Sequence, residues 1–239
     1  VCNDGSVCAM HDVVGRGSIA LEMDAGFPCT PGEATVSNSL FESTGSGYAI
    51  DASCGALTLT DSVVTGASGV LVSAAAADIE RTEVTATSGI AFDLARGGTL
   101  RDNTVVASST ASFGALLQTG IPTDNGHALV VEGNSFQGGS VGVELRVRMD
   151  SRFVENTLTA DDSGLRVDVV SQTPEPVVVV DDNDISVSGS DLAASSALYV
   201  SQAAEGEILR NRLHVGPTSV LTSARGAQLI AVGTVFADN

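Results

Sequence analysis

Asn156-Thr-Leu-Thr-Ala-Asp-Asp-Ser-Gly-Leu-Arg-Val-Asp168 decides the fold. It holds two short stretches with apolar residues two apart, the period of a β-strand. Polar and turn-forming residues separate them. The first stretch starts at an Asn and the second at a Gly. Both signals recur along the chain. Outward from Asn156, one polar column reads Asn38, Asp61, Thr82, Asn103, Asn134, Asn156, Asn183 and Asn211. Two residues after each stands an apolar one: Leu40, Val63, Val84, Val105, Phe136, Leu158, Ile185 and Leu213. A partial unit ends in Thr234, Val235 and Phe236.

The second signal reads Gly47-Tyr-Ala-Ile50, Gly69-Val-Leu-Val72, Gly89-Ile-Ala-Phe92, Gly114-Ala-Leu-Leu117, Gly142-Val-Glu-Leu145 and Gly164-Leu-Arg-Val167. A period near 22 residues carrying two or three short strands is one coil of a parallel β-solenoid. One coil cannot bury its own inward face, so stacked neighbours complete the core. A leucine-rich repeat would need a denser leucine pattern. A β-sandwich would not hold an Asn column in register. An inward Asn supplies both a donor and an acceptor, and it bonds along the column and to turn backbone. Asn also tolerates the left-handed conformation of a tight corner.

Asn103-Thr-Val105, Asn134-Ser-Phe136, Asn156-Thr-Leu158 and Asn183-Asp-Ile185 resemble the repeat of the right-handed parallel β-helix family, the pectin-lyase-like superfamily. The resemblance covers roughly residues 13–239. It implies an all-β, single-domain right-handed parallel β-helix. About nine coils stacked about 4.8 Å apart make a rod about 40 Å long. Residues 1–12 are expected to form a disulfide-stabilised cap over the N-terminal end, and residues 13–239 the solenoid, which the terminal Val-Phe-Ala-Asp-Asn could extend. Cys29 and Cys54 fall at near-equal phases of adjacent coils, which predicts a Cys29–Cys54 bridge and leaves Cys2–Cys8 as the second. Two bridges imply an extracytoplasmic location, so the chain is expected to be secreted or displayed at a cell surface.

The 239 residues include 29 Asp plus Glu, 11 Arg and no Lys, for a net charge of −18. That charge argues against nucleic acid as a partner. No apolar run is long enough to span a membrane. Segments beginning at Gln118, Ser171 and Ser201 lengthen the repeat just after the same strand, so they are expected to project from one edge of the rod, where scaffolds place function.

Candidate chemistry is sparse. On the outward face of the second strand, Glu144 is expected to stack over Arg166 and Arg146 over Asp168, as cross-rung ion pairs. Columns counted from the glycines place Asp51 and Asp93 in line with Gln118, Arg146 and Asp168. The catalytic candidates for a lyase or epimerase are Arg146, Arg148, Asp168 and His127. Galacturonan hydrolases of the superfamily combine Asn-Thr-Asp, an Asp pair, Gly-His-Gly and Arg-Ile-Lys elements; here Gly126-His127 is followed by Ala128, and the first and last elements are missing. Asp161, Asp162, Asp181 and Asp182 are the calcium candidates; no other cofactor is implied. The reading is a non-enzymatic secreted or surface β-helix module, a rigid scaffold, adhesin-like or recognition domain for a surface glycan or another protein, with end-to-end self-association open. The alternative is a polysaccharide lyase or epimerase acting on an anionic glycan.

Overall fold

The computed structural model describes residues 7–23, 32–53, 55–73, 76–120, 127–170, 175–188, 196–201, 205–216, 225–229 and 234–237. Each coil lays one strand in each of three parallel sheets, of ten, nine and nine strands. In a central coil these are Ser151–Val154 in the first sheet, Thr157–Ala160 in the second and Ser163–Val169 in the third. Every strand pairs in parallel with the strand one coil away, for example Phe153 with Val180 and Leu158 with Ile185. Alternation turns every second side chain inward. The interior is therefore stacked in like-for-like columns, and the largest fully buried side chains include Phe41, Phe92, Phe136 and Phe153. Phe136 and Phe153 stack with ring centroids 6.3 Å apart. Thr234–Ala237 continues the first sheet.

The polar column runs where the first sheet turns into the second, with one correction. The strand register aligns Leu40 and Val63 with Glu83, Thr104, Ser135, Thr157 and Asp184. The buried column is therefore Ser39, Ser62, Thr82, Asn103, Asn134, Asn156, Asn183 and Asn211. Asn38 and Asp61 stand one residue earlier, at positive φ (48° and 49°). Their inward partners are Phe41 and Val64, not Leu40 and Val63. Two adjacent positions at this corner take polar residues for different reasons: one must adopt the left-handed region and the next must bond inside the turn. Arg81, Asp102, Glu155, Asp182 and Arg210 hold the left-handed position in other coils.

From Asn103 onward the column is a continuous amide ladder. Asn156 Nδ2 donates to Val131 O (3.0 Å), Val154 O (2.8 Å) and Asn183 Oδ1 (3.1 Å). Its Oδ1 accepts from both Asn134 N and Asn134 Nδ2, each at 3.0 Å. Towards the N-terminus hydroxyls replace amides: Ser39 N donates to Ser62 Oγ (3.1 Å) and Val13 N to Ser39 Oγ (3.1 Å). Buried polar atoms are tolerated here because each is bonded.

The small-residue column of the third sheet also shifts from the predicted one. It reads Ala49, Gly69, Ala91, Gly114, Gly142, Gly164 and Ala197, aligned by the neighbouring pairs Ile50–Val70, Phe92–Ala115 and Leu165–Leu198. Gly47 and Gly89 lie two residues outside it. The column is small because the corner is tight: a Cβ on Gly69 would sit 2.2 Å from Ala91 O.

Val7–His11, inside the stretch assigned to a cap, is the first strand of the ten-stranded sheet and pairs with Glu33–Ser37. Its Cys8 is disulfide-bonded. Cys2, Cys29 and Cys54 lie outside the described residues, and each predicted pairing involves at least one of them.

Candidate functional site

The outward face of the third sheet gathers the charged residues singled out in the sequence. Glu144 lies beside Arg166 and Arg146 beside Asp168, in adjacent strands. Gln118, Arg146, Asp168 and Ser201 form one column. The other runs Asp51, Leu71, Asp93, Leu116, Glu144, Arg166 and Tyr199. Asp51 and Asp93 thus belong with Glu144 rather than with Arg146, because Ala49 and Ala91, not the nearby glycines, take the small position in their coils.

The ion pairs form a cluster rather than two cross-rung pairs. Arg146 Nε donates to Glu144 Oε1 at 2.7 Å within its own strand. Arg166 Nε lies 3.3 Å from Asp168 Oδ2 within its strand and 3.8 Å from Glu144 Oε2 across the rung. Asp168 also accepts a hydrogen bond from Ser201, and the Arg166 guanidinium lies 5.5 Å from the Tyr199 ring centroid. Glu144 is only 2% exposed although it points away from the core. A carboxylate so placed is tolerated because two guanidiniums face it. Alternation alone does not signal this burial.

On the same face, Tyr48 donates its hydroxyl to Asp93 Oδ2 at 2.8 Å. Burial first, and the neighbouring carboxylates of Asp93 and Asp51 next, push its phenol above the ordinary tyrosine range. A hydrogen bond spanning 45 residues of sequence is invisible without the register.

The remaining candidates do not converge on one centre. His127 ends the connection from Phe113–Gln118 to Leu129–Glu132, is exposed, and donates its backbone N–H to Arg96 O. The backbone N–H of Arg148 donates to Thr119 Oγ1 at 2.6 Å. The chain has no lysine.

The four calcium candidates fall at two different corners. Asp161 and Asp162 stand between the second and third sheets, Asp181 and Asp182 between the first and second. Arg210 bonds both Asp181 and Asp182; its hydrogen bonds hold the Asp182 carboxyl below the ordinary carboxylate range. Asp162 Oδ2 accepts from Ser140 Oγ at 2.7 Å, and Asp161 Oδ1 lies 3.3 Å from Ser188 Oγ. Among the described residues no three His, Cys, Asp or Glu side chains are grouped to hold a metal ion. At the same corner nearer the N-terminus, Arg81 grips Asp61 of the preceding coil through Nε (2.7 Å) and Nη2 (3.0 Å) and likewise lowers that carboxyl.

The lengthened connections after Phe113–Gln118 and Ser163–Val169 both run from the third sheet to the first, and so leave the same edge of the rod. The third expected insertion is short: Glu205 already begins the next strand, four residues after Ser201. No helix among the described residues is long and apolar enough to cross a membrane.

The family model for the right handed beta helix region matches residues 25–213. No curated protein and no solved structure matches the chain.

Proposed function

Because the chain belongs to the right-handed β-helix family, a fold that serves many chemistries and none, we propose that it is a non-enzymatic, secreted or cell-surface module. It acts as a rigid scaffold and recognition domain that presents its loop-bearing edge to a surface glycan or another protein. The observation that carries this reading is the closed charge cluster on the third sheet. Each of Glu144, Arg146, Arg166 and Asp168 is committed to an opposite charge in the cluster. An acid–base pair poised for catalysis needs a group free to take a proton at the substrate. Mutually neutralised charges around the buried Glu144 instead fix side-chain positions on a stiff face.

The test is a turnover screen of the full chain against a panel of uronate polymers with calcium, read by absorbance of unsaturated products. No turnover is the expected result. Turnover that disappears in Arg146→Ala, while the protein stays folded, would establish a polysaccharide lyase and overturn the proposal.

A further inference from the structure

The outward face of the first sheet carries a groove of about 320 Å³. It lies beside the corner from which the lengthened connections leave. Its outward side chains come from three successive rungs: Ala128 and Val130, then Asp150 and Arg152, then Val177 and Val179. Four aliphatic side chains thus surround one acidic and one basic side chain. That volume is at the small end of organic-ligand sites, about 300–1,000 Å³.

The charge pattern is unusual for this molecule. Arg16, Arg81, Arg101, Arg146, Arg166, Arg210 and Arg212 each pair with a carboxylate. Among the described residues, Arg152 and nearby Arg148 pair with none. In a chain with 29 acidic residues and 11 basic ones, a guanidinium without a carboxylate is a position where an anion is not already supplied. Asp150 does not fill the role; its Oδ1 accepts from Val177 N at 2.9 Å.

We infer that this groove binds a medium-chain aliphatic monocarboxylate. The ligand carboxylate takes the Arg152 guanidinium in a charge-assisted, two-pronged hydrogen bond. The aliphatic body lies on Val130, Val179 and Val177, where it removes apolar surface from water. A second carboxylate at the far end of the chain would be desolvated on the valines, so dicarboxylates are rejected. This inference goes beyond the recognition reading above and adds a small-molecule ligand class.

The probe is octanoate, titrated into the full-length protein and followed by backbone amide shifts. Saturable shifts are expected in Leu129–Glu132, Ser151–Val154 and Val177–Asp181. Arg152→Ala, an exposed side chain, is expected to weaken binding about tenfold or more, and Arg212→Ala, at an exposed arginine of the second sheet, to leave it unchanged. Octanedioate, acetate and octylammonium are expected to bind at least tenfold more weakly than octanoate. Octanoate that does not saturate, that binds Arg152→Ala within twofold of the parent, or that is matched by acetate or octylammonium would overturn the inference. The turnover screen is independent of that result, so failure here leaves the non-enzymatic reading standing, and lyase turnover would defeat that reading whatever octanoate does.

Discussion

Replacing Asn156 by Ala removes a ladder side chain whose oxygen accepts two hydrogen bonds and whose amide donates three. Several of the freed partners keep a second bond: Asn134 Nδ2 still reaches Leu100 O and Glu132 O, and Asn183 Oδ1 still accepts from Asn156 N. The backbone N–H of Asn134 has no substitute, and Asn134 is 1% exposed. One orphaned buried donor costs about 1–3 kcal/mol, and the lost bonds at the carbonyls add about 1 kcal/mol. Asn156→Ala should therefore destabilise the protein by about 2–4 kcal/mol. Asn156→Ser should cost less, about 1–2 kcal/mol, because a hydroxyl can accept from the preceding coil as Ser62 Oγ does from Ser39 N. Asn38→Ala, outside the ladder, forfeits only the residue type suited to its left-handed corner, and Asn38→Gly should be neutral. Urea unfolding followed by circular dichroism measures all four, with native-state amide exchange reporting the local effect, since long repeat arrays need not unfold in one step. An Asn156→Ala variant as stable as the parent, or an Asn156→Ser variant no better than Asn156→Ala, would refute the reasoning.

Four further outcomes are expected. Gly69→Ala should cost about 1–3 kcal/mol in denaturant unfolding, since its Cβ meets Ala91 O at 2.2 Å and Val84 Cγ1 at 2.5 Å; a neutral variant would contradict the tight-corner account. Adding salt at pH 7 should raise the melting temperature, because screening relieves self-repulsion of the −18 charge. Acidification has two opposed effects: repulsion falls as the pH approaches the pI of about 4.2. Asp61 and Asp182, whose carboxyls are lowered in the folded chain from 3.8, contribute stability that is complete above that value and lost as pH falls through their folded pKa values. Maximum stability should therefore lie on the acidic side of neutrality, and a pH series of melting temperatures that peaks above pH 7 would refute this. In alkali, Tyr48→Phe should remove a phenolate absorbance step that lies above the ordinary tyrosine range, because burial and neighbouring carboxylates hold Tyr48 there.

The solenoid was legible because its two signals repeat: Asn followed by an inward apolar residue, and a small residue followed by alternating apolar ones. What the sequence left ambiguous was phase. Asn38 and Ser39, like Asp61 and Ser62, are neighbouring polar residues, and either could head the ladder until Phe41 and Val64 are seen to face inward. Glycine misled at 47 and 89 for a similar reason, since alanine also fits the tight corner. The charged face was legible as a set of neighbours but not as a cluster. Arg146 reaches back along its own strand to Glu144 rather than across to Asp168, a choice of rotamer that spacing does not encode. Asp161–Asp162 and Asp181–Asp182 look alike in sequence, yet the coil sends them to different corners and gives the second pair to Arg210.

The account depends most on a continuous buried amide ladder clamping the coils into a stiff rod. Hydrogen exchange of asparagine side-chain amides, resolved by nuclear magnetic resonance in the intact protein, tests it directly. The Nδ2 protons of Asn134, Asn156 and Asn183, each with three acceptors in the fold, should exchange as slowly as core strand amides, and those of exposed Asn38 at the rate of free asparagine. Fast exchange along the ladder, or protection at Asn38 equal to that at Asn156, would contradict it.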